Sequence, residues 1–92
     1  MLPEAPRSAP RLRVRVLAFA RLRELLGFGE RELDLPSPAT LDDLWSMLTA
    51  GAPQAAPLRA STRLARNGLV AEGTAAVADG DEVALLPPVG GG

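Results

Sequence analysis

The last apolar segment of the chain, Val83–Leu86, contains no polar residue and so offers an apolar side chain to each face of a strand. Such a strand is typical of the centre of a sheet, where both of its faces are covered and its neighbours run parallel to it. The segment Arg11–Phe19 instead alternates between apolar and basic residues along much of its length, which is typical of a strand with one solvated face. The chain has 92 residues, enough for one domain with a modest core. We therefore expect one sheet, with the first and last strands paired in parallel at its centre.

Two helices are predicted between these strands. The period changes from two to that of a short helix over Ala20–Leu26, which Gly27 ends. A clearer helix opens at Thr40, and Asp43 three residues later completes a pattern that resembles a capping box. Its apolar residues have the i, i+3, i+4, i+7 spacing of a core-facing helix: Leu41, Leu44, Trp45 and Leu48. We expect Trp45 to lie in the core.

The remaining pattern predicts a second strand, a hairpin and a turn. Glu30–Leu35 alternates and stops before Pro36, whereas the Pro- and Ala-rich stretch Ala52–Thr62 is predicted as a loop. The dipeptide Asn67-Gly68 is a strong signal for a two-residue hairpin turn. It joins the strand candidates Arg63–Arg66 and Leu69–Glu72, and Asp79-Gly80-Asp81 precedes the last strand, Glu82–Leu86. Turn chemistry explains these acidic residues, whose spacing suits a metal site poorly, so no metal site is expected.

This order of elements predicts an α+β fold with a mixed sheet and its helices on one face. With the first and last strands parallel at the centre, the architecture is the β-grasp, or ubiquitin-like, roll. A ferredoxin-like split βαβ arrangement is the alternative, although the first helix is short for a full crossover. We expect a disordered leader at residues 1–10, the β-grasp domain at residues 11–86 and a flexible tail at residues 87–92.

The composition excludes most forms of self-contained catalysis. The sequence has no Cys, His or Tyr, and therefore no thiolate, imidazole or phenol for nucleophilic or acid–base chemistry. It also has no Lys, since all ten basic residues are Arg. A net charge of −1 gives no electrostatic footprint for nucleic acid or an anionic membrane. With no signal peptide and no membrane-length apolar run, we expect a cytoplasmic protein.

The C-terminal residues are the strongest functional lead. Pro87 and Pro88 cannot extend a sheet ladder and favour an extended conformation, so they direct the last four residues away from the sheet. The side chains then shrink through Val89 to Gly90, Gly91 and Gly92. Six extended residues reach about 20 Å, and glycine allows the backbone to pass where no Cβ fits. The pattern indicates a narrow tail that presents the carboxylate of Gly92 to another protein.

The alternation of side chains between the two faces of a strand predicts an apolar surface at the base of this tail. Phe19 and Leu86 fall opposite the core faces of the first and last strands, and neighbouring strands would bring them together. Leu69, beside the hairpin turn, is predicted to extend the surface, which is a candidate interface. The basic stripe Arg11, Arg13 and Arg15 has two interpretations: a solvated row that protects the sheet, or a contact for an acidic patch on a partner.

Three segments resemble the molybdopterin synthase small subunit (MoaD) family. They are the last strand and tail from Asp79 to the terminal glycines, the first strand and helix from Val16 to Gly27, and the hairpin Asn67-Gly68-Leu69-Val70. The similarity covers about residues 12–92 in matching order. One departure is Gly90, where that family often has a small residue other than glycine, and we expect from it a more flexible tail without loss of activity.

The resemblance implies that this chain is a sulfur carrier, not an enzyme on its own. In that family an E1-like enzyme uses ATP to activate the terminal glycine carboxylate as an acyl-adenylate, and a sulfur donor protein converts it to a thiocarboxylate. The loaded terminus then gives sulfur to cyclic pyranopterin monophosphate in the large catalytic subunit, which yields molybdopterin. By this resemblance Gly92 carries the sulfur, Phe19, Leu69 and Leu86 contact the large subunit, and the chain itself binds no cofactor.

Two other functions stay open. The first is a thiocarboxylate carrier for thiamine, tRNA thiolation or cysteine synthesis, against which the Pro-Pro-Val tail and the segment Phe19–Gly27 argue. The second is a β-grasp interaction module whose tail carries no chemistry.

Overall fold

The computed structural model describes residues 11–88, and the predicted leader at residues 1–10 and the last four residues of the predicted tail lie outside this range. The described chain runs through five strands and three helices. In order they are β1 (Arg11–Ala18), α1 (Ala20–Leu26), β2 (Glu30–Pro36), α2 (Leu41–Ala50), a 3-10 helix (Pro53–Ser61), β3 (Arg63–Arg66), β4 (Leu69–Ala71) and β5 (Glu82–Leu86).

The strands form one mixed sheet in the order β2-β1-β5-β3-β4. The two strands at its centre, β1 and β5, are parallel, with Val16 opposite Val83 and Ala18 opposite Leu85. The other pairs are antiparallel: β1 with β2, β3 with β5, and β3 with β4. The first and last strands therefore pair as predicted, and the β-grasp fold is confirmed over the ferredoxin-like alternative.

The core lies between the sheet and the helices. Every second residue of β1 is buried, from Leu12 to Ala18, while the arginines between them are exposed. The buried residues of β5 are Val83 and Leu85, and those of the central helix α2 include Leu41, Leu44, Trp45 and Leu48. Each large aliphatic side chain buried in this way contributes about 1.5–3 kcal/mol. Trp45 is buried, which confirms the core position predicted for it.

Helix α2 begins at the predicted capping box. The Thr40 hydroxyl accepts the N–H of Asp43 at 3.1 Å, and the Asp43 carboxylate accepts the N–H of Thr40 at 2.9 Å. Asp therefore serves in the position where Glu or Gln is more usual, because it satisfies the same orphan N–H group. None of the helices within residues 11–88 is long and apolar enough to cross a membrane.

The predicted loop Ala52–Thr62 was wrong, because Pro53–Ser61 forms a 3-10 helix. A proline inside a helix usually breaks it. Pro53 is the first residue of this helix, where its missing N–H removes no hydrogen bond. Pro57 is exposed, and Ala55 is fully buried against the core. Boundaries elsewhere shift by one residue: β1 ends at Ala18, β2 extends to Pro36 and β4 ends at Ala71.

Candidate functional site at the shared edge of the central strands

Parallel pairing brings the ends of β1 and β5 to the same edge of the sheet. The register stops at Ala18 opposite Leu85, so Phe19 and Leu86 are the next residues on the two strands. The side chain of Phe19 is 42% exposed, and Leu86 is partly buried. The structure therefore brings together two of the three residues predicted to form a partner surface. Their contact with a partner stays a prediction.

A sharp turn holds Phe19 at this edge. Phe19 is extended, with φ −130° and ψ 157°, and is the residue before helix α1. Ala20 then adopts a positive φ of 50°, which is unusual for a residue with a Cβ. The carbonyl of Phe19 accepts the N–H of Arg23 at 3.2 Å in the first turn of α1. The backbone of Phe19 is thus bonded to the helix directly after β1 ends.

The tail leaves the sheet between β1 and β3. Leu86 is the last paired residue of β5 and lies opposite Arg63. Pro87 is partly buried and Pro88 is exposed, and neither has an N–H to extend the ladder. Val89, Gly90, Gly91 and Gly92 lie outside the described residues, so the roles predicted for them stay predictions.

An apolar row crosses the open face of the sheet just below this exit. The pairing register aligns four residues of adjacent strands on that face: Leu17, Ala84, Ala65 and Val70. Val70 is 58% exposed, whereas Ala65 is buried. Together with Phe19 and Leu86 these residues form a surface that we call the tail-side surface. Phe19 and Val70 are exposed, whereas Leu17, Ala84 and Leu86 are half-buried. A partly exposed apolar surface of this kind is a candidate interface.

Leu69 does not extend the tail-side surface, contrary to the prediction. The two-residue turn pairs Leu69 with Arg66, which in turn pairs with Val83, a core residue. Leu69 therefore belongs to the helix-covered side of the sheet edge, although it is 75% exposed. Its neighbour Val70 takes the open face instead. This placement could have been predicted from the sequence, because a two-residue Asn-Gly turn sets the register of the hairpin and therefore the face on which each flanking residue lies. The partner contact predicted for Leu69 stays a prediction.

The turn before β5 is held by its own acidic side chains. The Asp79 carboxylate accepts the N–H of Arg13 at 2.7 Å, and the Asp81 carboxylate accepts the N–H of Ala78 at 2.8 Å. Asp81 also accepts a hydrogen bond from the side-chain amide of Asn67 at 2.9 Å. These contacts confirm that the acidic residues serve as turn chemistry. Residues 11–88 contain no cluster of three or more His, Cys, Asp or Glu side chains suited to a metal ion.

Two of the three arginines in the basic stripe form ion pairs with acidic residues of this chain. Arg13 lies 3.3 Å from a carboxylate oxygen of Asp34, and Arg15 lies 3.2 Å from one of Glu30 and 3.6 Å from one of Glu82. All of these side chains are about half exposed or more, so each pair adds little stability. The structure favours the interpretation of this stripe as a solvated, charge-balanced row.

Comparison with known proteins gives a family match over most of the chain. The model of the ThiS family matches residues 16–92. The molybdopterin synthase sulfur carrier subunit of Arabidopsis thaliana is 35% identical over 79 residues, which cover 86% of this chain and 82% of that protein.

Solved structures share the fold. The putative molybdopterin converting factor subunit 1 of Pyrococcus furiosus superposes with a TM-score of 0.77 at 30% identity, over 85% of this chain and 99% of that one. The small archaeal modifier protein SAMP1 of Haloferax volcanii gives a TM-score of 0.76 at 31% identity, over 87% and 99%. Subunits 1 and 2 of the molybdopterin-converting factor of Helicobacter pylori have been solved as a complex, and the matching chain shares the fold at 22% identity and a TM-score of 0.60, over 88% and 100%. The chain belongs to the ThiS family, in which it groups with the molybdopterin synthase sulfur carrier subunits.

Proposed function

We propose that this protein delivers sulfur to the molybdopterin precursor as a thiocarboxylate on Gly92. The observation that carries the proposal is the shared edge of β1 and β5, where Leu86 and Pro87 lead the chain off the sheet beside the exposed ring of Phe19. A partner that docks on the tail-side surface therefore receives the tail at a fixed point. The proposed carrier supplies the reactive terminus, and its partners supply the catalytic groups.

The chemistry begins at a carboxylate, which is a poor acyl donor. Attack of the Gly92 carboxylate on the α-phosphorus of ATP, in an E1-like activating enzyme, releases pyrophosphate and gives an acyl-adenylate. A hydrosulfide equivalent from a sulfur donor protein then attacks the carbonyl carbon. The C–S bond forms as the bond to AMP breaks, and the product is a thiocarboxylate. This sulfur is a soft nucleophile that needs no base from the carrier, which suits a chain without Cys or His.

The acceptor step takes place in a second protein. We propose that the large, catalytic subunit of molybdopterin synthase binds the tail-side surface and admits the tail to a pocket that holds cyclic pyranopterin monophosphate. Two loaded carriers used in turn would supply the two dithiolene sulfurs, and water supplies the oxygen that returns each carrier to a carboxylate. Activation requires ATP, so we place the protein in the cytoplasm. The carrier binds neither ATP nor a metal on its own account in this proposal.

Reconstitution with purified components tests the proposal. The thiocarboxylate form, mixed with the large subunit and the precursor, is expected to give molybdopterin, whereas the carboxylate form gives none. A carrier for thiamine, tRNA or cysteine synthesis would instead load with sulfur but transfer none to this precursor. An interaction module with an inert tail would not load at all.

A second candidate function is attachment to other proteins, favoured by the likeness to the archaeal modifier SAMP1. An acyl-adenylate can acylate a lysine amine as well as accept sulfur. This chain has no Lys, so copies of it offer one another no ε-amine. If it modifies proteins, only single attachments through lysine are expected, and electrophoresis of the products would show one added chain per acceptor lysine.

A further inference from the structure

Met47 is a large apolar side chain that the tail-side surface does not explain. Four such side chains are exposed within residues 11–88: Phe19, Met47, Leu69 and Val70. Phe19 and Val70 belong to the tail-side surface, and Leu69 lies beside Val70 at the β4 edge. Met47 lies on α2, on the helix-covered side of the sheet, and is 44% exposed.

Met47 lies where two concavities meet, between α2 and β2. One has a volume of about 260 Å³ and is lined by Phe28, Leu33 and Met47 among others. The other, of about 410 Å³, is lined by Leu35, Pro38 and Met47 with Asp43 and Ser46. The two concavities share Met47 and together follow β2 from Arg31 to Pro36, with Leu33 and Leu35 among their lining residues; we call the pair the groove. The Arg31 guanidinium lies over the Phe28 ring at 5.4 Å to the ring centre, and this pair of side chains lines one end of the groove.

The strand that borders this groove has a free edge. In the sheet order β2 is terminal, and within residues 11–88 its ladder partners all belong to β1. No other backbone group in this range bonds to the residues of β2. An extended peptide can therefore add to this edge through main-chain hydrogen bonds and place alternate side chains in the groove.

The charge of β2 determines which peptide fits. Its residues on the open face are Glu30, Glu32 and Asp34, a row of three carboxylates. On the edge of β2 that is already paired, Arg13 and Arg15 of β1 form ion pairs with these carboxylates. Val14 and Val16 of β1 lie on the core face. A strand on the free edge meets the same two faces: the acidic one, and one formed by Leu33 and Leu35 with Arg31 near its end. Two β2 edges brought together would instead place carboxylates opposite carboxylates, which disfavours self-pairing.

We propose that the free edge of β2 and the groove beside it bind an extended segment of another protein in which basic and aliphatic residues alternate. The basic residues lie over Glu30, Glu32 and Asp34, and the aliphatic residues contact Leu33 and Met47. The site is separate from the tail, so its failure would leave the sulfur-carrier function untouched, and the converse also holds.

The test uses a peptide that copies the pairing already present. An acetylated and amidated heptapeptide with the sequence of residues 11–17, Arg-Leu-Arg-Val-Arg-Val-Leu, is titrated into the isotope-labelled full chain and followed by NMR. We expect amide shifts in β2 and around Met47, and slower hydrogen exchange at those β2 amides that face away from β1. A peptide of the same composition with its three arginines grouped at one end cannot place them over the acidic row, and we expect it to bind about tenfold more weakly.

Variants separate the groove from general electrostatic attraction. Met47→Asp places a carboxylate in the groove and is expected to weaken the heptapeptide by about tenfold, and Glu32→Gln by about threefold. Leu69→Asp adds the same charge at the opposite edge and should leave the affinity unchanged; the amide spectra of all three proteins show whether they are folded. Absence of binding, equal binding of the grouped peptide, shifts confined to β4, or an unchanged affinity in Met47→Asp would each overturn the proposal.

Discussion

Asn67 and Asp81 are joined side chain to side chain, with the Asn67 amide nitrogen 2.9 Å from a carboxylate oxygen of Asp81. The amide oxygen of the same Asn67 accepts the N–H of Glu82 at 2.9 Å, and its backbone N–H is bonded to the carbonyl of Glu82 at 2.8 Å. The hairpin turn is therefore hydrogen-bonded to Glu82, the first residue of β5, which is the strand that leads to the tail. One side chain thus links the β3–β4 turn to the start of the functional strand.

Loss of this link is expected to destabilise the fold. Asn67 has a φ of 52°, so Asn67→Ala removes two side-chain hydrogen bonds and also places an alanine in an unfavourable conformation. We expect it to lower the free energy of unfolding by about 2–3 kcal/mol. Asn67→Gly restores the conformation without the hydrogen bonds and should cost about 1 kcal/mol less than the alanine variant. Urea unfolding measures both, and equal stabilities for the two variants would show that the backbone conformation contributes nothing.

Ala20 is the second position where a residue with a Cβ has a positive φ, here 50°. Ala20→Gly relieves that strain, and we expect a stability between unchanged and about 1 kcal/mol higher. Ser46→Gly, at an exposed position within α2, is the matched control and should lose about 0.5 kcal/mol. Thermal unfolding shows whether the stability rises or stays the same in Ala20→Gly and falls in Ser46→Gly. A loss of stability in Ala20→Gly as large as that in Ser46→Gly would contradict the strained turn after Phe19.

Gly73 lies against Asp42, at the first turn of α2. A Cβ on Gly73 would overlap the Asp42 carboxylate, which accepts two hydrogen bonds from Arg59 at 3.1 and 2.9 Å. We therefore expect Gly73→Ala to cost about 1 kcal/mol, because the half-exposed carboxylate can move aside but then loses its hydrogen bonds from Arg59. Gly51→Ala, where nothing lies within 4 Å and φ is −92°, should cost nothing.

A double-mutant cycle assigns the Gly73 effect to its cause. In the Asp42→Ala background the clash is removed, so Gly73→Ala should cost at least about 0.5 kcal/mol less than it does in the original chain. Additive effects of the two substitutions would place the strain elsewhere in the loop.

The tail-side surface is tested by two large apolar residues of similar exposure. Phe19→Arg puts a charge beside the tail exit and is expected to weaken the complex with the large subunit by about tenfold or more. Met47→Arg, at 44% exposure against 42% for Phe19, lies on the helix-covered side and should leave that complex intact. Co-purification and calorimetric titration compare them. A Met47→Arg defect as large as that of Phe19→Arg would show that the large subunit does not dock on the open face.

Much of this fold could be predicted from local patterns. The two-sided apolar character of Val83–Leu86 and the alternation after Arg11 indicated their central, parallel pairing, which the register of Val16 with Val83 confirms. Thr40 and Asp43 formed the capping box that their spacing indicated. These signals are local: each depends on residues a few positions apart.

The features that the sequence did not predict depend on contacts between distant segments. The 3-10 helix is stabilised in part by burial of Ala55 against the core, which proline content alone does not show. The apolar row on the open face required the register of β3 on β5, because that register alone aligns Ala65 with Ala84 and so joins the hairpin residue Val70 to the central strands. The groove beside Met47 likewise arises from packing between α2 and β2, and no motif in either segment predicts it.

The intact mass of the full chain, after incubation with the activating enzyme, ATP and a sulfur donor, tests the proposed sulfur-carrier function most directly. We predict a gain equal to the difference between one sulfur and one oxygen atom, located on the peptide that ends in Gly92. A chain from which Gly92 is deleted should show no gain. An unchanged mass of the intact chain, under conditions in which the same enzyme loads another carrier, would contradict the sulfur-carrier function.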